Sequence, residues 1–248
     1  MKYEYHERIE STMELAEKYI LEKRYEDGFV LIAEMQTKGR GRKGNNWVSP
    51  KGGLWFSIVL NHISQQKTFT LYVGHCILMA LNELVNKSII HPLIEGENGI
   101  FSIKWPNDIY FENKKVCGLI CSQYAQHNKT LIGIGINTNV DNVPEDAPEH
   151  FGSISELLGV TIENNIYLDK IISNILDGLS DFEENGIAIF YDCYKRHDYL
   201  RDKMIRVTSG NEVFSGMYKG VDEDGGLVME MRDGEDKRIY SGSVFIEM

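Results

Sequence analysis

A short basic, glycine-rich segment is the first part of the sequence that could do chemistry. Residues 38–44 read Lys-Gly-Arg-Gly-Arg-Lys-Gly, with four cations and three glycines. Glycine lets the backbone turn its amides toward a ligand, and the guanidinium groups of Arg40 and Arg42 can bind carboxylate or phosphate in a bidentate manner. The residue order of a phosphate loop or a dinucleotide-binding loop is missing. The segment therefore predicts a site for a small anion, with a solvated loop or a non-specific nucleic-acid patch as the alternative.

A second segment combines a cation, an aromatic ring, a turn and a carboxylate. Residues 104–108 read Lys-Trp-Pro-Asn-Asp, and Lys115 follows Asp108 by seven positions. Without precedent, Lys104 and Asp108 could be an ion pair, Asn107 a turn former and Lys115 a solvated cation. The segment is therefore compatible with either a structural or a catalytic role.

Both strands and helices are predicted around these two segments and must position them. Apolar, β-rich runs predict strands at residues 29–33, 54–60, 100–104, 109–112, 116–123 and 130–136. Helical patterns cover residues 11–24, 71–85, 154–158, 166–182 and 188–199. Residues 36–53 form a long loop, and residues 141–148 form a second one, which is expected to be mobile.

The sequence pattern changes after Arg201. Short alternating strands separated by turn residues are predicted at residues 204–207, 212–219, 226–230, 237–240 and 244–247. Evenly spaced short strands favour a small β-barrel of about 45 residues. The sequence therefore predicts two domains, residues 1–200 and residues 201–248.

Composition limits the class of protein. The chain has 248 residues with 37 acids against 26 Lys and Arg, and a formal charge of −11. That charge repels polyanions, which argues against binding DNA or an anionic membrane through bulk electrostatics. The amino terminus has no secretory signal, and no apolar run reaches the roughly 20 residues of a membrane span. Four scattered cysteines predict reduced thiols, so we expect a cytoplasmic protein.

Read in order, the motifs resemble the biotin–protein ligase family. The resemblance covers about residues 10–248 and includes the small carboxy-terminal barrel. It implies an α+β fold, in which a mixed or antiparallel central sheet with flanking helices forms a class II synthetase-like catalytic domain and an SH3-like barrel follows. The matching residues are Ser11-Thr12, Ala33-Glu34, Gln36, Gly39-Arg40-Gly41-Arg42, Trp47, residues 104–108, Lys115, Gly118-Leu119-Ile120 and residues 133–137.

Members of that family make biotinyl-5′-adenylate from biotin and ATP with Mg²⁺, and then transfer biotin to a lysine of a biotin carboxyl carrier protein. The resemblance implies the catalytic residues Arg40, Arg42, Lys115 and Asp108. It implies a biotin site of Ser11, Thr12, Met13, Gln36, Gly39, Arg40, Gly41, Arg42, Lys115, Gly118, Gly133 and Gly135. For ATP it implies Arg42, Lys43, Trp47, Lys104, Asn107 and Asn137, with Mg²⁺ carried by the nucleotide and no metal site made by protein alone.

The sequence departs from the family pattern at two places. Asn45 and Asn46 stand where the family often has arginine and a variable residue, and Met13 stands where asparagine is frequent. No room precedes Ser11 for the winged helix-turn-helix of repressor members, so we expect a monofunctional enzyme without a DNA partner. We also expect the loops at residues 38–48 and 141–150 to be mobile and to order over the adenylate.

Four questions stay open on sequence alone. A lipoate or octanoate ligase or transferase is the nearest alternative, because those enzymes resemble biotin ligases in fold. A non-catalytic adenylate-binding regulator or a nucleic-acid-binding module is an alternative of a different class. The role of the small barrel and dimerisation through exposed sheet edges are also undetermined.

Overall fold

The structure is a computed structural model, and it describes residues 1–25, 27–87, 100–141 and 147–247. The chain divides into two compact units, each made of two stretches of sequence. The first unit joins Met1–Gln65 to Asp108–Lys170, and the second joins Gln66–Asn107 to Ile171–Met248. Each unit is thus completed by a segment that is distant in the sequence.

The described residues form strands and helices in an irregular order along the chain. The strands are β1 Lys2–Ile9, β2 Phe29–Gln36, β3 Leu54–Leu60, β4 Phe101–Lys104, β5 Asp108–Phe111, β6 Lys114–Tyr124, β7 Lys129–Ile136, β8 Met204–Ser209, β9 Glu212–Val221, β10 Leu227–Glu230, β11 Asp236–Ile239 and β12 Ser243–Ile246. The helices are α1 Thr12–Leu21, α2 Phe69–Lys87, α3 Ile154–Leu158, α4 Asn164–Asn185 and α5 Tyr191–Arg196. The sequence predicts all of these except β1, with boundaries that shift by a few residues.

A mixed sheet forms the frame of the first unit. Its strands lie in the order β1-β2-β3-β7-β6-β5, where β1 is parallel to β2 and the other pairs are antiparallel. Strand β3 is buried along its whole length, and β7 is buried from Thr130 to Ile136. Strands that are covered on both faces need apolar residues at successive positions, which is why these two are recognisable as continuous apolar runs.

Helix α1 packs across this sheet with one apolar face. Ser11 caps the helix, since its Oγ accepts a hydrogen bond from the Glu14 amide at 3.4 Å. The apolar residues of α1 follow helical spacing and are buried against neighbouring strands. The cluster comprises Met13, Ala16, Tyr19, Ile20, Phe29, Leu31, Val59 and Leu131. Packing of this face holds the amino-terminal end of α1, and with it Ser11 and Thr12, over the middle of the sheet.

Strand β1 is absent from the sequence prediction. It pairs with β2 alone, at an edge of the sheet, and its side chains are exposed or half-buried. Five of its eight residues are charged or histidine and none is fully buried, so it carries no apolar run that a pattern search could find. Tyr19 and Tyr25 anchor it by donating to the Glu4 carboxylate at 2.9 and 2.7 Å.

An aromatic core organises the second unit. The rings of Tyr72 on α2 and Phe182 on α4 stack with centroids 4.3 Å apart. The Tyr72 hydroxyl donates to the Ile175 carbonyl at 2.7 Å, and burial raises the pKa of this phenol. Strand β4 is tied to the segment after α5, because Ile103 N donates to His197 O at 2.8 Å.

The last five strands form a small antiparallel sheet. Their order is β11-β10-β9-β8-β12, and every neighbouring pair is antiparallel. Gly210 and Gly234 adopt positive φ in its turns, at 60° and 85°. Among the strand pairings of residues 201–247, none joins β11 to β12, so no closed barrel is observed. The predicted α+β class with a small carboxy-terminal β structure is confirmed, while the domain division at residue 201 stays a prediction.

Three further expectations concern a loop, the cysteines and membrane spans. Of the predicted loop at residues 141–148, residues 142–146 lie outside the described residues. Cys76 and Cys117 are buried, Cys121 and Cys193 are half-buried, and all four are free thiols. None of the helices in the described ranges is long and apolar enough to cross a membrane.

Candidate active site

The basic segment forms a hairpin-like loop, whose expected mobility stays a prediction. Its ends are joined at Gln36 and Ser49, which pair as an antiparallel bridge, and again where Trp47 N donates to Gly39 O at 2.8 Å. Closer to the tip, Gly41 N donates to the Asn45 carbonyl at 2.7 Å. The amide of Gly41 is therefore used within the loop itself.

The loop cations divide into two groups. Arg40 points to α1, where its guanidinium contacts Glu17 at 2.9 Å and Glu14 at 3.7 Å, and 44% of its side chain is exposed. Arg42 is half-buried, and burial lowers its pKa while the nearby carboxylate of Asp108 raises it. Lys43 is exposed. The structure thus brings Arg42, and not Arg40, to the predicted carboxylate.

Lys115 and Asp108 form the charged centre of the candidate site. Lys115 Nζ lies 2.7 Å from Asp108 Oδ1, and the side chains are 19% and 21% exposed. The two residues lie on the neighbouring strands β6 and β5, in the antiparallel ladder that pairs Asp108 with Gly118. Together with Arg42 they give one carboxylate and two cations, a set that can bind and neutralise an anionic group.

The backbone of Lys115 is held from three sides. Its amide donates to His150 O at 2.6 Å, and its carbonyl accepts from Gly152 N at 3.1 Å. Asn137 Nδ2 donates to the same carbonyl at 3.2 Å, and Asn137 is almost completely buried. Asn137 Oδ1 has no hydrogen-bond partner among the described residues. Asn137 therefore positions Lys115, and its predicted contact with nucleotide oxygens stays a prediction.

Trp47 lies against the glycine-bearing strands. A Cβ on Gly118 would fall 2.8 Å from Trp47 Cζ3, and one on Gly135 would overlap Trp47 Nε1. Lys115 Nζ sits 5.0 Å from the centre of the Trp47 ring system. At Gly133 the neighbour is the thioether of Met13 instead, which a Cβ at that position would overlap. The absent side chains of these glycines thus make room for an indole and a thioether in this structure.

A chain of hydrogen bonds crosses the unit from β3 to the loop. Ser57 Oγ donates to Thr12 Oγ1 at 2.8 Å, and Thr12 Oγ1 donates to Gln36 Oε1 at 3.1 Å. Gln36 Nε2 donates to Ser49 Oγ at 2.9 Å, and Ser49 Oγ donates to Trp47 O at 3.1 Å. The Thr12 amide also donates to Gln36 Oε1 at 2.7 Å, which fixes the oxygen of the Gln36 carboxamide on that side.

These hydrogen bonds determine which atoms can still donate to a ligand and which can accept from it. Thr12 uses its hydroxyl hydrogen on Gln36, so its remaining lone pair is an acceptor. Gln36 uses one Nε2 hydrogen on Ser49 and keeps a second as a donor. Ser11 accepts from the Glu14 amide and keeps its hydroxyl hydrogen as a donor. The cluster therefore presents two donors and one acceptor.

Two predicted ATP-binding residues belong to the second unit. Asn107 is buried, and Lys104 Nζ lies 6.0 Å from the Tyr199 ring centre. Their predicted roles stay predictions. Within residues 1–25, 27–87, 100–141 and 147–247, no group of three or more His, Cys, Asp or Glu side chains could hold a metal ion.

Comparison with known proteins decides the family. A model of the Biotin/lipoate A/B protein ligase family matches residues 5–139, more than half of the 248 residues. The chain belongs to this family. A model of the Biotin protein ligase C terminal domain matches residues 202–246, which contain the small antiparallel sheet of this family member.

Relatives of this family member include two bacterial proteins described as bifunctional ligase/repressor BirA. The one from Salmonella typhimurium is 26% identical over 220 residues, covering 88% of this chain and 66% of its own length. The one from Bacillus subtilis is 27% identical over 247 residues, covering 97% of this chain and 72% of its own length. The chain therefore spans about two thirds to three quarters of these relatives.

A solved structure extends the comparison to the whole fold. The biotin protein ligase from Aquifex aeolicus, in complex with biotin and ATP, superposes with a TM-score of 0.84. The two proteins are 28% identical, and the match covers 99% of each chain. The fold of this family member is thus similar to that of a solved biotin protein ligase.

Sequence reasoning missed four residues that shape the candidate site. Ser57 and Ser49 extend the hydrogen-bond chain, and Glu14 and Glu17 bind Arg40. Ser57 did leave a signal, because it is the one hydroxyl inside the apolar run of β3. The two glutamates stand at helical spacing from the Ser11 cap, and only the tertiary fold reveals that they face the loop.

Proposed function

We propose that the chain is an ATP-dependent ligase that activates biotin as biotinyl-5′-adenylate and transfers it to a lysine of a biotin carboxyl carrier protein. Family membership supports this proposal, and so does the likeness to an enzyme solved with biotin and ATP. The observation that carries the choice of substrate is the fixed polarity of Ser11, Thr12 and Gln36.

A cyclic urea matches that polarity. Its carbonyl oxygen can accept from the Ser11 hydroxyl and the second Gln36 Nε2 hydrogen, and its N–H can donate to Thr12 Oγ1. The dithiolane ring of lipoate carries neither an N–H nor a carbonyl, so it would leave buried polar groups unpaired. Sites built to hydrogen-bond a substrate reject analogues that lack the bonding groups. The cluster therefore favours biotin over lipoate.

The first chemical step must bring two anions together. Attack of the biotin carboxylate on the α-phosphate of ATP forms the carboxylate–phosphate bond and releases pyrophosphate, and Mg²⁺ arrives with the nucleotide as part of this substrate. Arg42 and Lys115 flank Asp108 and supply positive charge where the two anions meet. Arg40 and the exposed Lys43 would assist from the loop, and Trp47 would pack on the adenylate.

The second step transfers the biotinyl group to an amine. A lysine side chain has an ordinary pKa near 10.4 and must lose a proton before it can attack the mixed anhydride. We assign Asp108 to orient this amine and accept its proton, while Lys115 stabilises the charge that returns to the phosphate. AMP is then the leaving group, and the new bond is an amide.

The direct test supplies biotin, ATP with Mg²⁺ and a biotin carboxyl carrier domain. We expect a mass increase of one biotinyl group on one lysine, and no increase when that lysine is replaced by arginine. Pyrophosphate release without transfer would instead identify an adenylate-binding regulator. A larger thermal shift with lipoate than with biotin would favour the lipoate branch of the family over this proposal.

A further inference from the structure

One hydroxyl connects the predicted biotin-binding cluster of Ser11, Thr12 and Gln36 to the basic loop. Ser49 Oγ accepts from Gln36 Nε2 at 2.9 Å and donates to the Trp47 carbonyl at 3.1 Å. Ser49 is 4% exposed, so neither bond competes freely with water. The buried Ser49 side chain therefore links Gln36, a member of that cluster, to the backbone of the loop.

Ser49 lies at the neck of this loop. Gln36 N donates to Ser49 O at 3.0 Å, and Trp47 N donates to Gly39 O at 2.8 Å, so the two bonds tie the start of the loop to its end. A Cβ on Gly39 would lie 2.7 Å from Ser49 Oγ and would overlap Trp47 O. The junction is packed so closely that only glycine fits beside it.

The hydrogen bonds of this series all have the same direction of donation. Each group from Ser57 through Thr12, Gln36 and Ser49 donates to the next, and the last acceptor is the Trp47 carbonyl. Bonds that run head to tail in such a series polarise one another, which favours the series as a whole. An acceptor placed on the second Gln36 Nε2 hydrogen immobilises the carboxamide and so favours its bond to Ser49.

We propose that Ser49 is a positioning residue that couples occupancy of the Gln36 carboxamide to closure of the loop at residues 38–48. Ser49 does not touch substrate in this scheme. It acts through Gln36 on one side and through the Trp47 backbone on the other. The ligand half of the inference rests on the proposed binding of biotin, whereas the link between Ser49 and the loop neck does not.

The first experiment is hydrogen exchange on Ser49→Ala without added ligand. Loss of the bond to Trp47 O should speed exchange of the neck amides of Gln36 and Trp47 by about fivefold, as expected for one hydrogen bond. Ser153→Ala is the matched control. Ser153 is also buried and hydrogen-bonded in the same unit, but it does not belong to the series of hydrogen bonds from Ser57 to Trp47. Unchanged exchange at the loop neck in Ser49→Ala would overturn the proposal.

The second experiment adds biotin. In the unmodified protein we expect biotin to slow exchange across residues 38–48, and in Ser49→Ala we expect that protection to be lost while the protein still binds biotin with a Kd raised about five- to tenfold. A merely structural serine would leave the ligand-induced protection intact. Full protection by saturating biotin in Ser49→Ala would contradict the coupling.

A double-substitution cycle identifies the route. If Ser49 acts through Gln36, then Ser49→Ala should leave the biotin Kd unchanged when Gln36→Ala is already present. An additive effect would show that Ser49 acts by another path and would overturn the proposal. Should the unmodified protein fail to bind biotin, the proposed function fails, and exchange at the loop neck without ligand still decides whether Ser49 holds the loop.

Discussion

Lys115 Nζ lies 2.7 Å from Asp108 Oδ1, in a pair that is about four-fifths buried on both sides. Arg42 adds a second cation to the same carboxylate, and the backbone of Lys115 is held by hydrogen bonds from Asn137 and Gly152. A substrate anion that binds Lys115 competes with Asp108 for it. In the proposed reaction this exchange of partners releases Asp108 when the acceptor amine needs a proton acceptor.

Lys115→Ala should slow formation of the adenylate by about a hundredfold or more, the effect of removing one group that stabilises transition-state charge. The measurement is pyrophosphate release with biotin and ATP. The matched control is Lys114→Ala, because Lys114 precedes it on β6 but is exposed and donates to the Glu149 carbonyl. Near-normal pyrophosphate release in Lys115→Ala, with the fold intact by circular dichroism, would remove Lys115 from the mechanism.

Substitution of the two loop arginines should slow the first step to different extents. Arg42 is half-buried beside Asp108, so Arg42→Ala should reduce kcat for pyrophosphate release by about a hundredfold. Arg40 is held by ion pairs with Glu14 and Glu17 on α1 and not beside Asp108, so Arg40→Ala should change kcat by less than about tenfold. Equal losses of kcat in the two variants would show that Arg40 reaches the reacting groups as closely as Arg42 does.

Gly118→Ala should displace the indole of Trp47. The new Cβ would lie 2.8 Å from Trp47 Cζ3, and this overpacking should reduce the free energy of unfolding by about 1–3 kcal/mol. In a Trp47→Ala background the clash is absent, so the same glycine substitution should cost much less there. Urea unfolding of the four proteins in this cycle measures the difference. An equal cost in both backgrounds would place the strain elsewhere.

The interior strands and the basic loop were predictable because each leaves a local signature. Strands β3 and β7 are covered on both faces and therefore read as apolar runs, and the loop concentrates glycine and cations in a few positions. Strand β1 could not be predicted in the same way. It lies at an edge, is paired on one side and keeps its charged residues at exposed or half-buried positions.

The hydrogen-bond chain was beyond sequence reasoning for a different reason. Ser57 meets Thr12 only because the face of α1 packs on the sheet, and Ser49 meets Gln36 only because the loop returns to the strand it left. The separation of Arg40 from Arg42 has the same origin. Residues two positions apart in a loop diverge according to which tertiary partner each finds, and no local pattern encodes that choice.

Asp198 should make the stability of the protein fall as pH rises from about 4 to 6. Burial raises the pKa of this carboxyl from 3.8 to about 6, against the lowering effect of its hydrogen bond from Tyr218. In this pH range the folded protein keeps a proton that the unfolded chain has lost. Rising pH therefore favours unfolding, by up to about 3 kcal/mol once the pH exceeds the folded pKa.

Asp198→Asn isolates this effect because the amide cannot ionise, yet its oxygen can still accept from Leu200 N as Asp198 Oδ1 does at 3.0 Å. The gain in unfolding free energy over the unmodified protein should grow between pH 4 and 6 and then level off, in urea unfolding at each pH. Asp192→Asn is the control, since the hydrogen bond from Lys195 lowers the pKa of that exposed carboxyl. Its ionised form favours the folded state, and this contribution is lost only as the pH falls below about 4, so its difference curve should be nearly flat between pH 5 and 6. A flat curve for Asp198→Asn would mean that Asp198 is ionised in the folded protein throughout this range.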